Sequence, residues 1–166
     1  MKYFKRLKVY KACNVTFDPE TMIADSYDWW HFVERINGKV VFNNYNYSNS
    51  TSRHQSKVRE LLRELGIKVD VVVNTRMGLQ AAYGVHSKQN LCLDAIKEAV
   101  TYGELKRAHK IAEVFKFKLT QELIQLYFDQ REEELCYEYL QRAFQYAEKK
   151  RIEADKPFTV SPLILL

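Results

Sequence analysis

The dipeptide Asn37-Gly38 limits the fold of this chain more than any other short segment. Asn-Gly favours the left-handed backbone of a two-residue β-turn, and the runs 29–36 and 39–47 on either side are rich in apolar and aromatic residues. We therefore predict an antiparallel hairpin in which Ile36 pairs with Lys39. Alternation along the strands divides the large side chains between two faces. One face carries Trp29, Val33, Val40 and Phe42, and the other carries Trp30, Phe32, Val41 and Tyr45.

Both faces of the predicted hairpin are aromatic, so either a helix covers each side or one face is left for a partner. The following segment supplies one such helix, because apolar residues recur there at helical spacing. These residues are Val58, Leu61, Leu62 and Leu65. The N-cap is expected at Ser50, Thr51 or Ser52, and Gly66 is placed to end the helix. The alternating run 2–12 and the β-branched run 67–75 predict a strand before the hairpin and another after the helix.

The chain beyond Gly78 has the composition of a helical region. Capping residues and apolar spacing predict helices at 87–101, at 104–117, from Thr120, and from Asp129 to about Ala154. The last helix has an apolar stripe that is wider than one packed neighbour needs. The stripe comprises Leu135, Cys136, Tyr139, Leu140, Ala143, Tyr146 and Ala147. Such a stripe fits either a dimer contact or a central helix surrounded by its own domain.

The expected fold class is α+β, with two parts that follow one another along the chain. Residues 1–77 are predicted to form a small antiparallel or mixed sheet with one packed helix. Residues 78–166 are predicted to form a helical C-terminal half, which is either a bundle or a dimerisation region.

The distribution of charge favours a polyanionic partner for the first half of the chain. The formal net charge is +5, and residues 1–12 carry five positive and no negative charges. Residues 119–166 carry six positive and nine negative charges. A basic front part and a mildly acidic tail fit a protein whose front part meets nucleic acid, although an uneven but inert surface has the same composition.

Signals for targeting and for chemistry are sparse, and we predict a cytoplasmic protein without a cofactor or metal. The start of the chain lacks the apolar core of a signal peptide, and the apolar run 163–166 is far too short to span a membrane. Cys13, Cys92 and Cys136 do not have the spacing of a zinc site or a disulfide framework. Phosphate-binding loops and known catalytic motifs are also missing, so we expect neither an enzyme nor a small-molecule substrate.

Two weaker functional signals also have structural explanations. His54 falls near the apolar stripe of its helix, which favours a packing or capping role over a catalytic role. A nucleophile among Ser48, Ser50 and Thr51, assisted by His54, is the minor catalytic alternative. A helix-turn-helix at 111–128 is also a weak candidate. Lys116 stands there in place of the usual turn glycine, and Glu122 falls at a position that should be buried.

The helix after the hairpin is the segment best suited to contact DNA. Its first two turns carry polar side chains of the kinds that read base edges in the major groove. This candidate base-reading set is Ser52, Arg53, Gln55, Ser56 and Arg59. Neighbouring cations and polar groups are expected to contact phosphates and to supply salt-dependent affinity. This candidate phosphate set is Lys5, Arg6, Lys8, Asn44, Tyr47, Lys57 and Arg63. An ordinary solvated helix face is the alternative interpretation.

The segment NNYNYSNSTSRHQSKVRELLRELGI, residues 43–67, resembles phage-associated DNA-binding regions shared by homing endonucleases and small repressors of phage satellites. The resemblance extends over about the first half of the chain. It implies a non-catalytic, sequence-specific regulator that binds double-stranded DNA, a transcriptional repressor that acts as a homodimer. A different class of function also fits the sequence: a protein-interaction module or inhibitor that docks through the aromatic hairpin or the helical tail.

Overall fold

The computed structural model describes residues 8–154 and has the expected α+β architecture. The strands are β1 (Tyr10–Ala12), β2 (Val15–Asp18), β3 (Ile23–Ser26), β4 (Trp30–Ile36), β5 (Lys39–Asn43) and β6 (Val71–Val73). The helices are α1 (Asn49–Glu64), α2 (Val85–Thr101), α3 (Leu105–Phe115) and α4 (Gln121–Ala154), and a short 3-10 helix spans Leu79–Tyr83. The six strands form one sheet in chain order; β1 to β5 are antiparallel, and β6 runs parallel to β5.

The hairpin predicted around Asn37-Gly38 is confirmed. Ile36 pairs with Lys39, and Asn37 and Gly38 have φ values of 48° and 80°. Positive φ at both positions is the requirement of the turn type that suits the twist of a hairpin. The side chain of Asn37 also donates a hydrogen bond to the carbonyl of Val114 at 2.7 Å, so the turn contacts α3.

Strands β2 and β3 were not predicted, because their turns lack the usual glycine marker. Cys13 and Asn14 connect β1 to β2 with φ values of 49° and 63°, and Tyr27 and Asp28 lie between β3 and β4 at 58° and 59°. Non-glycine residues in this backbone region are uncommon, so the sequence gives little sign of these turns. The predicted first strand began at Lys2, but β1 begins at Tyr10, and residues 1–7 lie outside the described part of the chain.

The predicted division of the aromatic residues between two faces is wrong in part. Ala24 pairs with Val33 while Asp25 pairs with His31, so β4 has one extra residue, a β-bulge, at Phe32. Because of this bulge, the side chains of Trp30, Phe32 and Val33 all join one buried cluster against Val58 and Leu62 of α1. Tyr45 packs against the same cluster, whereas Trp29 is 52% exposed. A strict alternation rule cannot anticipate the bulge.

Helix α1 ends as predicted but begins two residues earlier than expected. Ser48 is its N-cap, and the Ser48 hydroxyl accepts a hydrogen bond from the Thr51 amide at 3.1 Å. The predicted caps Ser50, Thr51 and Ser52 therefore lie inside the first turn. At the other end, Gly66 has a φ of 68° and its amide bonds the Arg63 carbonyl, as expected for a glycine that terminates a helix.

The opposite face of the sheet is covered by the helices that follow it. The 3-10 helix contacts β4, and α3 contacts β6. Arg107 donates to the Val72 carbonyl at 3.5 Å, and Asn74 donates to the Glu98 carboxylate at 3.2 Å. The sheet and these helices belong to one compact unit that extends to Tyr127.

Helix α4 is one continuous helix of 34 residues, so the separate helices predicted from Thr120 and from Asp129 are not observed. Thr120 does cap it, because its hydroxyl accepts from the Leu123 amide at 3.3 Å. The chain divides into two compact units between Tyr127 and Phe128. Among residues 8–154, none of the helices combines the length and the apolar character that a bilayer-spanning segment needs.

A cluster of ionisable groups lies on β3 and β4. The His31 ring contacts the Asp25 carboxylate through Nε2 and the Glu34 carboxylate through Nδ1, each at 2.8 Å. The Glu34 side chain is fully buried. The hydrogen bond to Glu34 is the main cause of the raised pKa of His31, and burial raises the pKa of Asp25. Protonated His31 therefore neutralises a buried carboxylate within the sheet.

We predict that replacing His31 by Gln destabilises the protein in a pH-dependent way. A raised pKa in the folded state means that protonation of His31 favours folding. This stabilisation is complete below the ordinary histidine pKa of 6.5 and declines as the pH rises through the raised value. Urea denaturation at about pH 6 should show a loss of about 3 kcal/mol, and the loss should shrink at about pH 9.

The matched control is His109→Gln, because His109 is exposed on α3. It should change the free energy of unfolding little at either pH. An equal loss at both pH values for His31→Gln would show that the charge of His31 does not contribute to stability.

Candidate nucleic-acid interface

The solvent-facing side of α1 is the most basic regular surface in the segment that we predicted to contact DNA. We call this surface the outer face; it comprises Arg53, Ser56, Lys57, Glu60, Arg63 and Glu64. Lys57 bonds Glu60 at 2.8 Å, and Arg53 and Arg63 are exposed toward either end of the helix. The Glu60 contact raises the pKa of Lys57, which therefore carries its charge at neutral pH. With three cations and two carboxylates, the outer face is net positive.

The edge strand β1 borders the outer face. The Lys57 ammonium lies 6.0 Å from the centre of the Tyr10 ring, so the two elements are neighbours on this side of the sheet. Lys8 is exposed two residues before Tyr10. The predicted phosphate contacts Lys8 and Lys57 thus lie on adjoining elements, whereas Lys5 and Arg6 lie outside the described residues.

Arg59 lies on one flank of the outer face and is held in place by two contacts. Its guanidinium stacks 4.4 Å from the centre of the Phe42 ring and donates to the Asn44 side chain at 2.7 Å. Partial burial lowers its pKa. Two residues from the predicted sets, Arg59 and Asn44, are therefore brought together, and Arg59 retains other N–H groups that can bond a ligand.

Gln55 is a correction to the predicted base-reading set, because its side chain is only 3% exposed. Its amide donates to the carbonyls of Asn43 and Tyr45 at 2.9 and 3.0 Å. An amide that is committed to buried carbonyls cannot bond a base without breaking the fold. The helical wheel placed Gln55 on an open flank, but the segment after β5 covers that flank.

The two serines of the predicted set are also engaged locally. The Ser52 hydroxyl donates to the Asn46 side chain at 2.8 Å and lies within 3.2 Å of the Ser48 carbonyl, and Ser52 is half-buried. The Ser56 hydroxyl donates to the Ser52 carbonyl at 2.9 Å and is exposed. The hydroxyl oxygen of Ser56 therefore remains accessible as an acceptor, whereas Ser52 mainly stabilises the start of α1.

Asn43, at the end of β5, organises the surrounding loops. Its side-chain nitrogen donates to the carbonyls of Thr75 and Met77, both at 2.9 Å. Its side-chain oxygen accepts from the amides of Tyr45 and Thr75 at 3.1 and 3.2 Å. Much of the hydrogen-bonding capacity of the polar segment before the helix is therefore used within the protein, where it joins three segments of the chain.

An aromatic pocket lies beside the N-terminus of α1, with a volume of about 230 Å³. Its lining consists of Ser26, Tyr27, Trp29, Trp30, Tyr47, Ser48 and Thr51. The rings of Trp29 and Tyr47 meet edge to face at 5.6 Å, and both residues are more than 40% exposed. Tyr47, predicted as a phosphate contact, belongs to this cluster, and the Arg76 guanidinium lies 6.0 Å from its ring centre.

His54 is buried under this pocket, as its position on the helical wheel predicted. The Nδ1 atom of His54 and the Ser26 hydroxyl are 2.8 Å apart, and the ring of Tyr27 packs 5.4 Å from the imidazole. The Ser48 and Thr51 hydroxyls bond each other at 3.0 Å. The serine that His54 contacts is therefore Ser26, and not a residue of the predicted nucleophile group.

A polar cleft that the sequence did not indicate lies on the other side of the sheet. Its volume is about 380 Å³, and its lining includes Asn44, Asn74, Tyr102 and Arg107. The Arg107 guanidinium is paired with the carboxylates of Glu98 and Glu104. Its charge is thus balanced within the protein, which makes the cleft a poorer site for an anion than the outer face.

The weak helix-turn-helix candidate receives mixed support from the geometry. Lys116 has a φ of 55°, so it adopts the left-handed conformation that a turn glycine usually provides. Glu122 is exposed, however, where the motif requires a buried side chain. The outer face of α1 is therefore the stronger candidate.

No family model, curated protein or solved structure matches the chain.

Proposed function

We propose that the protein is a non-catalytic, sequence-specific regulator that binds double-stranded DNA through the outer face of α1, as a transcriptional repressor does. The observation that carries this proposal is the row of exposed Arg53 and Arg63 with half-buried Lys57 between them, on one side of a helix that is packed firmly on a sheet. Arg53 and Arg63 are ten residues apart, which is about 15 Å along a helix. That length fits the major groove, where a helix meets base edges and both flanking phosphate backbones.

The contacts of α1 suggest distinct roles for its side chains. Arg53 and Ser56 are exposed in the first two turns, where a groove-reading helix places its base contacts. Three cations are suited to contact phosphates: Lys57, Arg63 and Lys8. The paired side chains of Asn44 and Arg59 are suited to bind a phosphate on the flank of the outer face. Glu60 also lies on the outer face, where it is paired with Lys57, and in the groove its carboxylate can accept from a cytosine amino group.

The first test is an anisotropy titration with duplexes selected from a random pool, at several salt concentrations. Arg63→Ala should weaken all duplexes about equally and should reduce the salt slope by about one, because one phosphate contact is lost. Lys110→Ala, an exposed lysine on α3, is the charge-matched control and should leave both quantities unchanged. The proposal is overturned if wild-type protein binds no duplex more tightly than nonspecific competitor at low salt.

The second test separates base reading from folding. Arg53→Ala should relax the selected sequence at one position, at a cost of about 1–3 kcal/mol in affinity for the preferred duplex. Gln55→Ala should instead lower the free energy of unfolding by about 1–3 kcal/mol, because two buried carbonyls lose their donor. Its selected sequence should stay that of the wild type. A changed sequence for Gln55→Ala and an unchanged one for Arg53→Ala would show that the outer face does not read bases.

The aromatic pocket favours a second candidate function, which is the docking of a protein partner. Exposed tryptophan and tyrosine around a cavity are typical of the residues that dominate protein interfaces. Trp29, Tyr27 and Tyr47 have this arrangement here. In the DNA titration, Trp29→Ala should retain wild-type affinity for DNA, since Trp29 lies outside the outer face. A complete loss of duplex binding in Trp29→Ala, with the fold intact, would place the DNA contact at the pocket instead.

A further inference from the structure

The part of α4 from Glu132 to Ile152 is exposed at every residue, although its sequence is not that of a solvated helix. Leu135, Leu140 and Tyr139 are 47%, 55% and 75% exposed. Isolated helices gain little stability from their own hydrogen bonds and depend on the packing of an apolar face. We therefore looked for the partner that the side chains of this segment would suit.

Seven of the ten apolar residues of this segment form one stripe, which at 100° per residue covers an arc of about 140°. Tyr137, Phe144 and Ile152 are also exposed but lie outside that arc. We call this stripe the α4 stripe; it comprises Leu135, Cys136, Tyr139, Leu140, Ala143, Tyr146 and Ala147. Ala143 lies near its centre line and Ala147 toward one edge, and these small residues would allow another helix to approach closely.

Charge is distributed unevenly along the same helix. Toward its N-terminal end Arg131 precedes four acidic residues, Glu132, Glu133, Glu134 and Glu138, and toward its C-terminal end Glu148 precedes three basic residues, Lys149, Lys150 and Arg151. Glu132 and Lys150 are 18 residues apart, which is about five helical turns, so both lie on the same side of the helix. Glu133 and Arg151 are related in the same way. Both pairs lie on or beside the α4 stripe.

We propose that the α4 stripe binds the α4 stripe of a second copy of the chain in antiparallel orientation, with the two-fold axis near Gln141 and Arg142. This arrangement places Glu132 and Glu133 of one copy beside Lys150 and Arg151 of the other, at both ends of the contact. A parallel arrangement would instead place Glu132 beside Glu132 and Lys150 beside Lys150. Opposite charges therefore favour the antiparallel pair, and like charges disfavour the parallel one.

The same register places small residues at two levels of the contact. Leu140 of one copy lies opposite Ala143 of the other, and Cys136 lies opposite Ala147. Such pairing lets two helices pack closely without voids. The four glutamates near the start of the stripe make nucleic acid an unsuitable occupant, because they would repel phosphates. Dimerisation through this surface does not depend on DNA binding and can be tested on its own.

The sharpest experiment is disulfide cross-linking in the full chain. Cys13 is exposed and is first replaced by Ser, whereas Cys92 is buried and is kept. In this background, Ala147→Cys should form covalent dimers on mild oxidation, through Cys136 of one copy and position 147 of the other. Within one helix these two positions are about 16 Å apart, so an intramolecular bond cannot form.

Two controls test whether the cross-link is specific to the antiparallel contact. Without Ala147→Cys, Cys136 should not cross-link, because an antiparallel pair holds the two Cys136 side chains about 16 Å apart along the helix. Gln145→Cys, on the side opposite the α4 stripe, should not cross-link either. Efficient dimerisation through Cys136 alone would mean a parallel pair. A failure of Ala147→Cys to cross-link above the level of Gln145→Cys would overturn the proposed contact.

Charge reversal tests the same contact without oxidation. Wild-type protein should have a solution mass of twice 19.7 kDa by light scattering. Lys150→Glu with Arg151→Glu should weaken the dimer roughly tenfold or more, because four favourable pairs become repulsive. Adding Glu132→Lys and Glu133→Lys should restore it. A monomeric wild type at about 100 μM, far above the Kd of most stable dimers, or a failure of the fourfold variant to recover, would contradict the proposal.

Discussion

Two buried carboxamides, those of Asn43 and Gln55, hold the functional half of this protein together. Asn43 bonds the backbone of the segment after β6 as well as its own loop, and Gln55 attaches α1 to the end of β5. These groups are almost fully buried, so each bond that is lost would leave an unsatisfied polar atom. The orientation of α1, and with it the direction of its basic side chains, depends on this arrangement.

This constraint changes how the polar segment before α1 is understood. Its asparagines, serines and tyrosines resemble a set of contacts for DNA, but several of them bond the protein itself. The Asn46 side chain accepts a hydrogen bond from the Ser52 hydroxyl, Ser48 caps the helix, and Tyr47 packs in an aromatic cluster. The outer face of α1 retains the exposed cations and is the surface on which DNA binding is proposed. The polar segment serves that surface by fixing the helix in place.

The sequence predicts best those elements that depend on local chemistry. Asn37-Gly38 fixed the hairpin register, and the apolar spacing of α1 with Gly66 located the helix and its end. Prediction from the sequence fails where residues that are distant along the chain determine the local structure. Turns such as Cys13-Asn14 adopt left-handed backbone without glycine, and a bulge at Phe32 brings Trp30, Phe32 and Val33 into one core. The burial of Gln55 depends on the path of the chain after β5, and a helical wheel of α1 does not include that segment.

The continuous α4 shows another limit of local signals. Asp129 looked like a helix start, but an aspartate is also tolerated inside a helix when its neighbours favour one. The apolar stripe was visible in the sequence, while its exposure over Glu132–Ile152 required coordinates. This exposure is the reason why the stripe is proposed to bind a second copy of the chain.

The most direct test of the central claim is an NMR titration of nitrogen-labelled protein with a duplex selected from a random pool. If DNA binds as proposed, the largest chemical-shift changes map to the outer face, at Arg53, Ser56, Lys57 and Arg63, with smaller changes at Lys8. Changes confined to Trp29 and Tyr47 around the aromatic pocket, with the signals of α1 unmoved, would contradict the proposal.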